Sequence, residues 1–280
     1  MGSPKVAFVL GGGGVLGAVQ VGMLRAVLER GIRPDLVVGT SIGAINGAII
    51  AADVDRSLDR LNRAWTSRDA RAITTGLDVR PGRAHLMSTG SIVRLLEAGL
   101  PAARTFEQLQ VEFRCCAASI ERAAEHWFTT GPLIPAILAS SALPGIFPAV
   151  EIDGEHFVDG GIVNSIPISE AAAAGATEVY VMQVGRIEYP LSAPRNQFEN
   201  ARVAFEISRR HRFARDSASL PAGTRLHVLP TGTSSQRDNR IARNLSPDAI
   251  RRRIESAHRA ASAYLDREVA TRSPVHGTPG

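Results

Sequence analysis

The sequence predicts a three-layer α/β domain with a mostly parallel central sheet, and three observations carry that expectation. Short apolar runs alternate with helix-period segments from the N-terminus onward: Val6 to Leu10, about Ala18 to Arg30, Leu36 to Val38, and Ile42 to Ala52. Both strands pass into their helices through glycine-rich turns, Gly12-Gly13-Gly14-Val15-Leu16-Gly17 and Gly39-Thr40-Ser41-Ile42-Gly43. With 280 residues, 44% of them hydrophobic, the chain can bury one large core. In open sheets of this kind the working groups gather at the carboxyl ends of the strands.

The remaining elements follow in order. Helices are expected near Asp55 to Ser67 and Ser91 to Glu97, joined by the Gly/Pro-containing stretch Gly76 to Gly90. Phe113 to Ile120 and Glu125 to Thr129 read as strands, and Leu133 to Ser141 as a helix with Leu133, Ile137 and Leu138 on one face. Val150, Ile152, His156 and Val158 alternate across Asp153-Gly154, a hairpin signal that delivers Asp159 to a strand end. Ile168 to Ala174 adds a helix, and Glu178 to Val184 and Arg225 to Leu229 add strands. Ser246-Pro247-Asp248 supplies an N-cap, a proline at the first helical position and an early acid. Ile250, Ile254, Ala257, Ala261 and Tyr264 then form one packing face. The chain reads as a single domain over residues 1–270, its motifs within about 5–185 and a basic helical part at about 200–270. Thr271 to Gly280 reads as a disordered tail.

Three glycine-bracketed segments carry chemistry. Gly39-Thr40-Ser41-Ile42-Gly43 has the G-x-S-x-G form of a nucleophile elbow in the strand-turn-helix context that the motif requires. Side chains at positions 39 and 43 would collide with neighbouring backbone in so sharp a turn. The Gly12 to Gly17 loop can aim backbone N–H groups at a negative charge, and Asp159-Gly160-Gly161 sets a carboxylate in a tight turn. A nucleophile, an oxyanion site and a base are the parts of an acyl-transfer site. The glycine run also matches the dinucleotide fingerprint G-x-G-x-x-G, but that reading needs an acid at the end of the second strand. Asp35 precedes that strand, and Ser41 follows it. A phosphate-binding loop would need Lys-Ser or Lys-Thr after Gly17, and neither is there.

These segments, with Ala139-Ser140-Ser141-Ala142-Leu143-Pro144-Gly145-Ile146-Phe147-Pro148 between them, resemble the patatin-like phospholipases over roughly residues 5 to 185. The resemblance implies a patatin-like α/β fold and a serine lipid acyl hydrolase with a Ser-Asp dyad. Ser41 would be the nucleophile and Asp159 the base, with the backbone of Gly12, Gly13 and Gly14 as oxyanion hole. Gly17, Gly39, Gly43, Gly160 and Gly161 would shape the turns. Leu16 stands where the family usually carries Arg or Lys. A carboxylate can act as base here only within hydrogen-bond reach of the hydroxyl, in a pocket dry enough to raise its pKa. An acyltransferase on the same dyad, a non-catalytic lipid-binding relative, and a Ser-Asp-His triad using His211, His227 or His258 are the alternatives.

Composition narrows the partners. No run approaches the ~18 apolar residues of a membrane span, and the N-terminus lacks a signal-peptide core. Cys115 and Cys116 are adjacent and would face opposite ways on a strand, which fits a reducing, cytoplasmic compartment. No metal-ligand spacing is present, and neither metal nor cofactor is expected. Residues 201–280 hold 15 arginines against seven acids, whereas the first 200 hold 17 basic and 20 acidic groups. Arg209-Arg210-His211-Arg212, Arg215 and Arg251-Arg252-Arg253 could meet an anionic membrane surface or lie on a solvated helix face. No aromatic stacking pattern accompanies them, so nucleic acid is not the expected partner.

Overall fold

The structure is a computed structural model describing residues 4–67, 89–100, 103–185, 187, 190–232 and 246–272. Strand β1 (Val6–Leu10) leads through a 3-10 turn (Gly14–Ala18) into α1 (Val19–Leu28), followed by β2 (Leu36–Thr40), α2 (Ile42–Ala52), α3 (Ser57–Thr66) and α4 (Gly90–Gly99). Then come β3 (Glu112–Ser119), β4 (Ala124–Phe128), α5 (Leu133–Ser140), β5 (Val150–Ile152), β6 (Glu155–Asp159), a short α6 (Gly161–Asn164) and α7 (Ile168–Ala173). The chain continues through β7 (Glu178–Met182), α8 (Gln197–Ala218), β8 (Arg225–Val228) and α9 (Pro247–Arg272).

The strands form one sheet in the order β5-β6-β3-β2-β1-β7-β8, with β4 also on β3. The five central strands, β3 to β8 in that order, are parallel, and β4, β5 and β6 are antiparallel additions. Pleat alternation sorts the side chains of β1 to two cores. Phe8 and Leu10 pack with residues of α1 to α4 and α9, while Ala7 and Val9 pack with Ile168 and Ala171 of α7 and Phe213 of α8. That is the three-layer arrangement. Each fully buried Phe or Leu of this kind contributes about 1.5–3 kcal/mol.

The mixed sheet positions the site. β2 pairs with β3 over Glu112 to Cys116, β6 pairs with β3 over Ala117 to Ser119, and β4 overlaps both spans from Cys115 to Ser119. A strand has two edges, so β2 and β6 must share the edge opposite β4. β2 runs parallel to β3 and β6 antiparallel, so their carboxyl ends meet head on: Thr40 pairs with Cys116 and Asp159 with Ala117. Ser41 and Asp159, 118 residues apart in sequence, thereby arrive at one point.

The predicted hairpin turn forms at Asp153 (φ 52°) and Gly154 (φ 80°), the positive-φ pair of a type I′ turn. Ser246 caps α9, its hydroxyl accepting from the N–H of Ala249 at 3.3 Å, and Ile250, Ile254, Ala257 and Ala261 are buried. α9 crosses α1 at Gly22, where a Cβ would sit 2.1 Å from the Ile254 carbonyl oxygen. The helix runs on through Thr271 and Arg272, which were expected in the tail. Residues 273–280, and nearly all of the stretch from Gly76 to Gly90, lie outside the described residues. The first helix begins at Val19, next to the expected Ala18, after Gly14–Ala18 winds as a 3-10 turn. No described helix is long and apolar enough to cross a membrane.

Candidate active site

Ser41 sits between β2 and α2 at φ 57° and ψ −125°, a backbone conformation costly for any residue with a Cβ. The two flanking glycines permit it. A Cβ on Gly39 would lie 2.5 Å from the carbonyl oxygen of Gly43, and one on Gly43 would lie 2.1 Å from that of Leu10. The elbow is thus pressed directly onto the end of β1. Its hydroxyl is half-buried and donates to Oδ2 of Asp159 at 2.6 Å.

Asp159 is 2% exposed. Its Oδ1 accepts from the N–H of Gly161 at 2.7 Å, at the start of α6. Burial raises its pKa from the ordinary 3.8 to about 6, and the donors from Ser41 and Gly161 hold the rise in check. Glycine is required next to it: a Cβ on Gly160 would meet the Cys116 carbonyl oxygen at 2.2 Å, and one on Gly161 the Phe205 ring at 2.7 Å.

The glycine loop lies against the same point. A Cβ on Gly12 would be 3.4 Å from that of Ser41, one on Gly13 would overlap Val184, and Gly14 takes φ 56°. Gly17 is pressed onto Ile42 and Trp65. The expected donor set is corrected at one position. The N–H of Gly12 donates to the Ser165 carbonyl at 2.9 Å and is spent on holding the loop, whereas no described residue engages the N–H of Gly13 or Gly14. Leu16 is partly buried against the core.

Several residues that sequence reasoning passed over hold these parts. The Ser140 hydroxyl accepts the N–H of Ser41 at 3.0 Å, its carbonyl accepts that of Gly160 at 3.3 Å, and the Ala142 carbonyl accepts that of Asp159 at 3.0 Å. The end of α5 therefore clamps both members of the pair. Buried Gln20 donates to the carbonyls of Gly11 and Met182, both at 2.8 Å, and accepts from Asn46, which in turn accepts from the Trp65 indole. A lone Asn in the apolar run from Ile42 to Ala52 was the available signal for that network.

The basic run is also corrected. Arg209, read as part of a surface face, is 3% exposed; its guanidinium donates to the Val184 carbonyl and to Gln183 behind the glycine loop. Arg212 turns inward to Asp216 and Glu125. The described histidines lie elsewhere. His227 is buried beside Glu178, His258 meets Glu29 at 2.6 Å, His156 meets Glu121, and His211 is exposed on α8. His85 and His276 lie outside the described residues. Cys115 and Cys116 are buried free thiols, and burial pushes both pKa values up. Among the described residues no group of three or more His, Cys, Asp or Glu could hold a metal.

A family model described as patatin-like phospholipase matches residues 8–172. An uncharacterized NTE family protein of Mycobacterium tuberculosis is 32% identical over 174 residues, covering 62% of this chain and 47% of that one. Patatin-like phospholipase domain-containing protein 7 of Rattus norvegicus is 34% identical over 187 residues, covering 64% and 14%. Lysophospholipase nte1 of Aspergillus terreus is 28% identical over 198 residues, covering 66% and 12%. The chain thus spans less than half the length of these curated relatives. The crystal structure of VipD from Legionella pneumophila matches with a TM-score of 0.51 at 15% identity, covering 95% of this chain and 67% of that one, which shows a shared fold. With the family model spanning more than half of its length, the chain belongs to the patatin-like phospholipase family.

Proposed function

We propose that this chain is a serine lipid acyl hydrolase that cleaves carboxylic esters of phospholipids or lysophospholipids through Ser41 and Asp159. The observation that carries the proposal is the 2.6 Å hydrogen bond from the Ser41 hydroxyl to a buried carboxylate. A carboxylate with a pKa of about 6 is ionised at neutral pH yet basic enough to take a proton as the serine attacks. Asp159 receives the Ser41 proton while Oγ bonds to the ester carbon. The oxyanion forms against the N–H groups of Gly13 and Gly14, where one lost donor costs about 3–4 kcal/mol in comparable sites. Asp159 then gives the proton to the departing alcohol. In the second half it takes a proton from water as the hydroxide attacks the acyl-serine, and it returns that proton to the Ser41 oxygen as the ester bond breaks and the fatty acid is released, which regenerates the carboxylate.

No cofactor enters this scheme. The test is product analysis: wild-type protein releases free fatty acid from phosphatidylcholine or its lyso form, and Ser41→Ala releases none. Transfer of the acyl group to an added alcohol with no free acid would favour an acyltransferase, and an inert wild type would favour a lipid-binding relative.

The exposed arginines of α9 support a peripheral meeting with anionic lipid on the reducing, cytoplasmic side. Arg251 and Arg252 are exposed and Arg253 half-buried, since consecutive helical positions point different ways. Vesicle co-sedimentation of the combined Arg251→Ser, Arg252→Ser, Arg253→Ser variant should be weaker than wild type. The difference should vanish as the Debye length shrinks from ~10 Å at ~0.1 M salt to ~3 Å at ~1 M. Equal binding at low salt would assign these arginines to a solvated face.

A further inference from the structure

Among the described residues Arg209 is the most deeply buried cation, and no step of the acyl-transfer scheme uses it. An arginine is almost never sequestered this far unless its guanidinium is committed to particular acceptors. Here it is committed to the end of β7. One terminal nitrogen donates to the Val184 carbonyl and, at 3.1 Å, to Oε1 of Gln183; the other donates to Glu206 at 3.2 Å. Nε is buried and meets no acceptor among the described residues. An apolar side chain would fill the same space without stranding an N–H, so what the guanidinium adds is its grip on Gln183 and Val184.

The end of β7 is the shelf on which the glycine loop rests. The N–H of Gly11 donates to the Met182 carbonyl at 3.2 Å, and Gln20 donates to the carbonyls of Gly11 and Met182 alike. A Cβ on Gly11 would lie 3.6 Å from Cα of Gln183, and one on Gly13 would lie 2.4 Å from Cβ of Val184. The backbone of Gly13 therefore lies directly against the Val184 side chain. Helix spacing puts Phe205, Arg209 and Arg212 on one face of α8. Phe205 lies against Gly161, whose N–H holds Asp159, and Arg212 donates to the Val163 carbonyl of α6 at 3.3 Å. One helix face thus braces the base through α6 and the glycine loop through β7.

We propose that Arg209 is a positioning residue for the reaction: by gripping Gln183 and Val184 it fixes the wall against which Gly13 leans, and so sets the aim of the oxyanion donors without touching substrate. This role rests on the proposed hydrolysis at Ser41. Preorganised donors act on the transition state, where loss of one lowers kcat roughly a hundred- to a thousandfold. A loosened loop should therefore lower kcat and leave KM nearly alone.

Turnover of a soluble short-chain ester by the full chain separates the two constants. Arg209→Met, which fills the space without the grip, should lower kcat about tenfold or more and change KM less than about twofold. The acid-side midpoint at about 6 belongs to Asp159 and should stay where it is. Arg209→Lys keeps the charge but lacks the planar fork, so it should fall between Arg209→Met and wild type. It judges the proposal by itself where Arg209→Met does not fold. Val184→Ala removes the wall and leaves the grip; its loss of kcat should not multiply with that of Arg209→Met in the double variant, because both act on one contact. A fluorophosphonate should still label every variant to one group per chain, only more slowly, which a partly unfolded population would not allow. Wild-type kcat in Arg209→Lys, a raised KM with kcat unchanged, or fully multiplicative losses overturns the proposal. Hydrogen exchange at Gly11 and Gly12, whose N–H groups the Met182 and Ser165 carbonyls hold, reads the loop without any substrate. Exchange that quickens in Arg209→Met while wild type neither turns over ester nor takes the probe supports the grip and contradicts the serine chemistry. Exchange that stays at the wild-type rate overturns the grip.

Discussion

Asp159→Asn should leave the protein folded, remove nearly all ester turnover and make the fold more stable at alkaline pH. The first effect follows from loss of the base, worth roughly a hundred- to ten-thousand-fold. The second follows from linkage. The carboxyl titrates at about 6 in the folded chain against an ordinary 3.8, so folding favours its protonated form. The stability this lends is fully present below 3.8 and is lost as pH rises through about 6. A gap of about two pKa units is about 3 kcal/mol. Denaturant melts at about pH 4 and about pH 8 should therefore show Asp159→Asn gaining about 2.5 kcal/mol on wild type between the two, a little of the effect being already lost at about pH 4. Wild-type turnover should in turn fall as pH drops below about 6, where the base is protonated. His211→Ala, His227→Ala and His258→Ala should retain activity. A histidine variant as inactive as Asp159→Asn with its fold intact would favour a triad.

Gly43→Ala should be among the most damaging small changes at the described residues. Its Cβ would lie 2.1 Å from the carbonyl oxygen and 2.6 Å from the carbonyl carbon of Leu10, and 2.9 Å from the oxygen of Gly11. All three are backbone atoms at the end of β1, with no flexible side chain to move aside. Either α2 lifts off the sheet or the elbow distorts, at a cost above about 3 kcal/mol. Gly131→Ala is the control: φ is 78° but nothing lies within 4 Å, so it should lose only the roughly 1–2 kcal/mol of left-handed strain. Thermal melts compare the two. A Gly43→Ala variant as stable as Gly131→Ala would mean that the elbow is not pressed onto β1.

The parts that sequence made legible are those whose cause is local. Strand-turn-helix order, the type I′ pair Asp153-Gly154 and the cap at Ser246 each depend on a few neighbouring residues. The glycines around Ser41 announced a sharp turn, although the atoms that Gly43 avoids belong to Leu10 and Gly11, far away in sequence. What was not legible depends on distant pairing. Ser140 reaches Ser41 only because β6 folds back along the edge of β3 and carries α5 with it. Arg209 sits in a run of charge that reads as surface, yet helix spacing turns it inward, where two acceptors at the end of β7 receive its guanidinium. The Gly12 N–H was counted as a free donor because the Ser165 carbonyl that takes it lies 153 residues on.

The central claim is that the Ser41 hydroxyl, activated by Asp159, is the group that becomes acylated. Intact mass after treatment with a fluorophosphonate tests it most directly, because the probe reacts covalently with an activated serine and needs no knowledge of the natural lipid. Wild-type protein should gain one phosphonyl group per chain, Asp159→Asn should gain it far more slowly, and Ser41→Ala should gain none. Labelling that persists in Ser41→Ala, or a wild type that stays unlabelled while folded, would contradict the account.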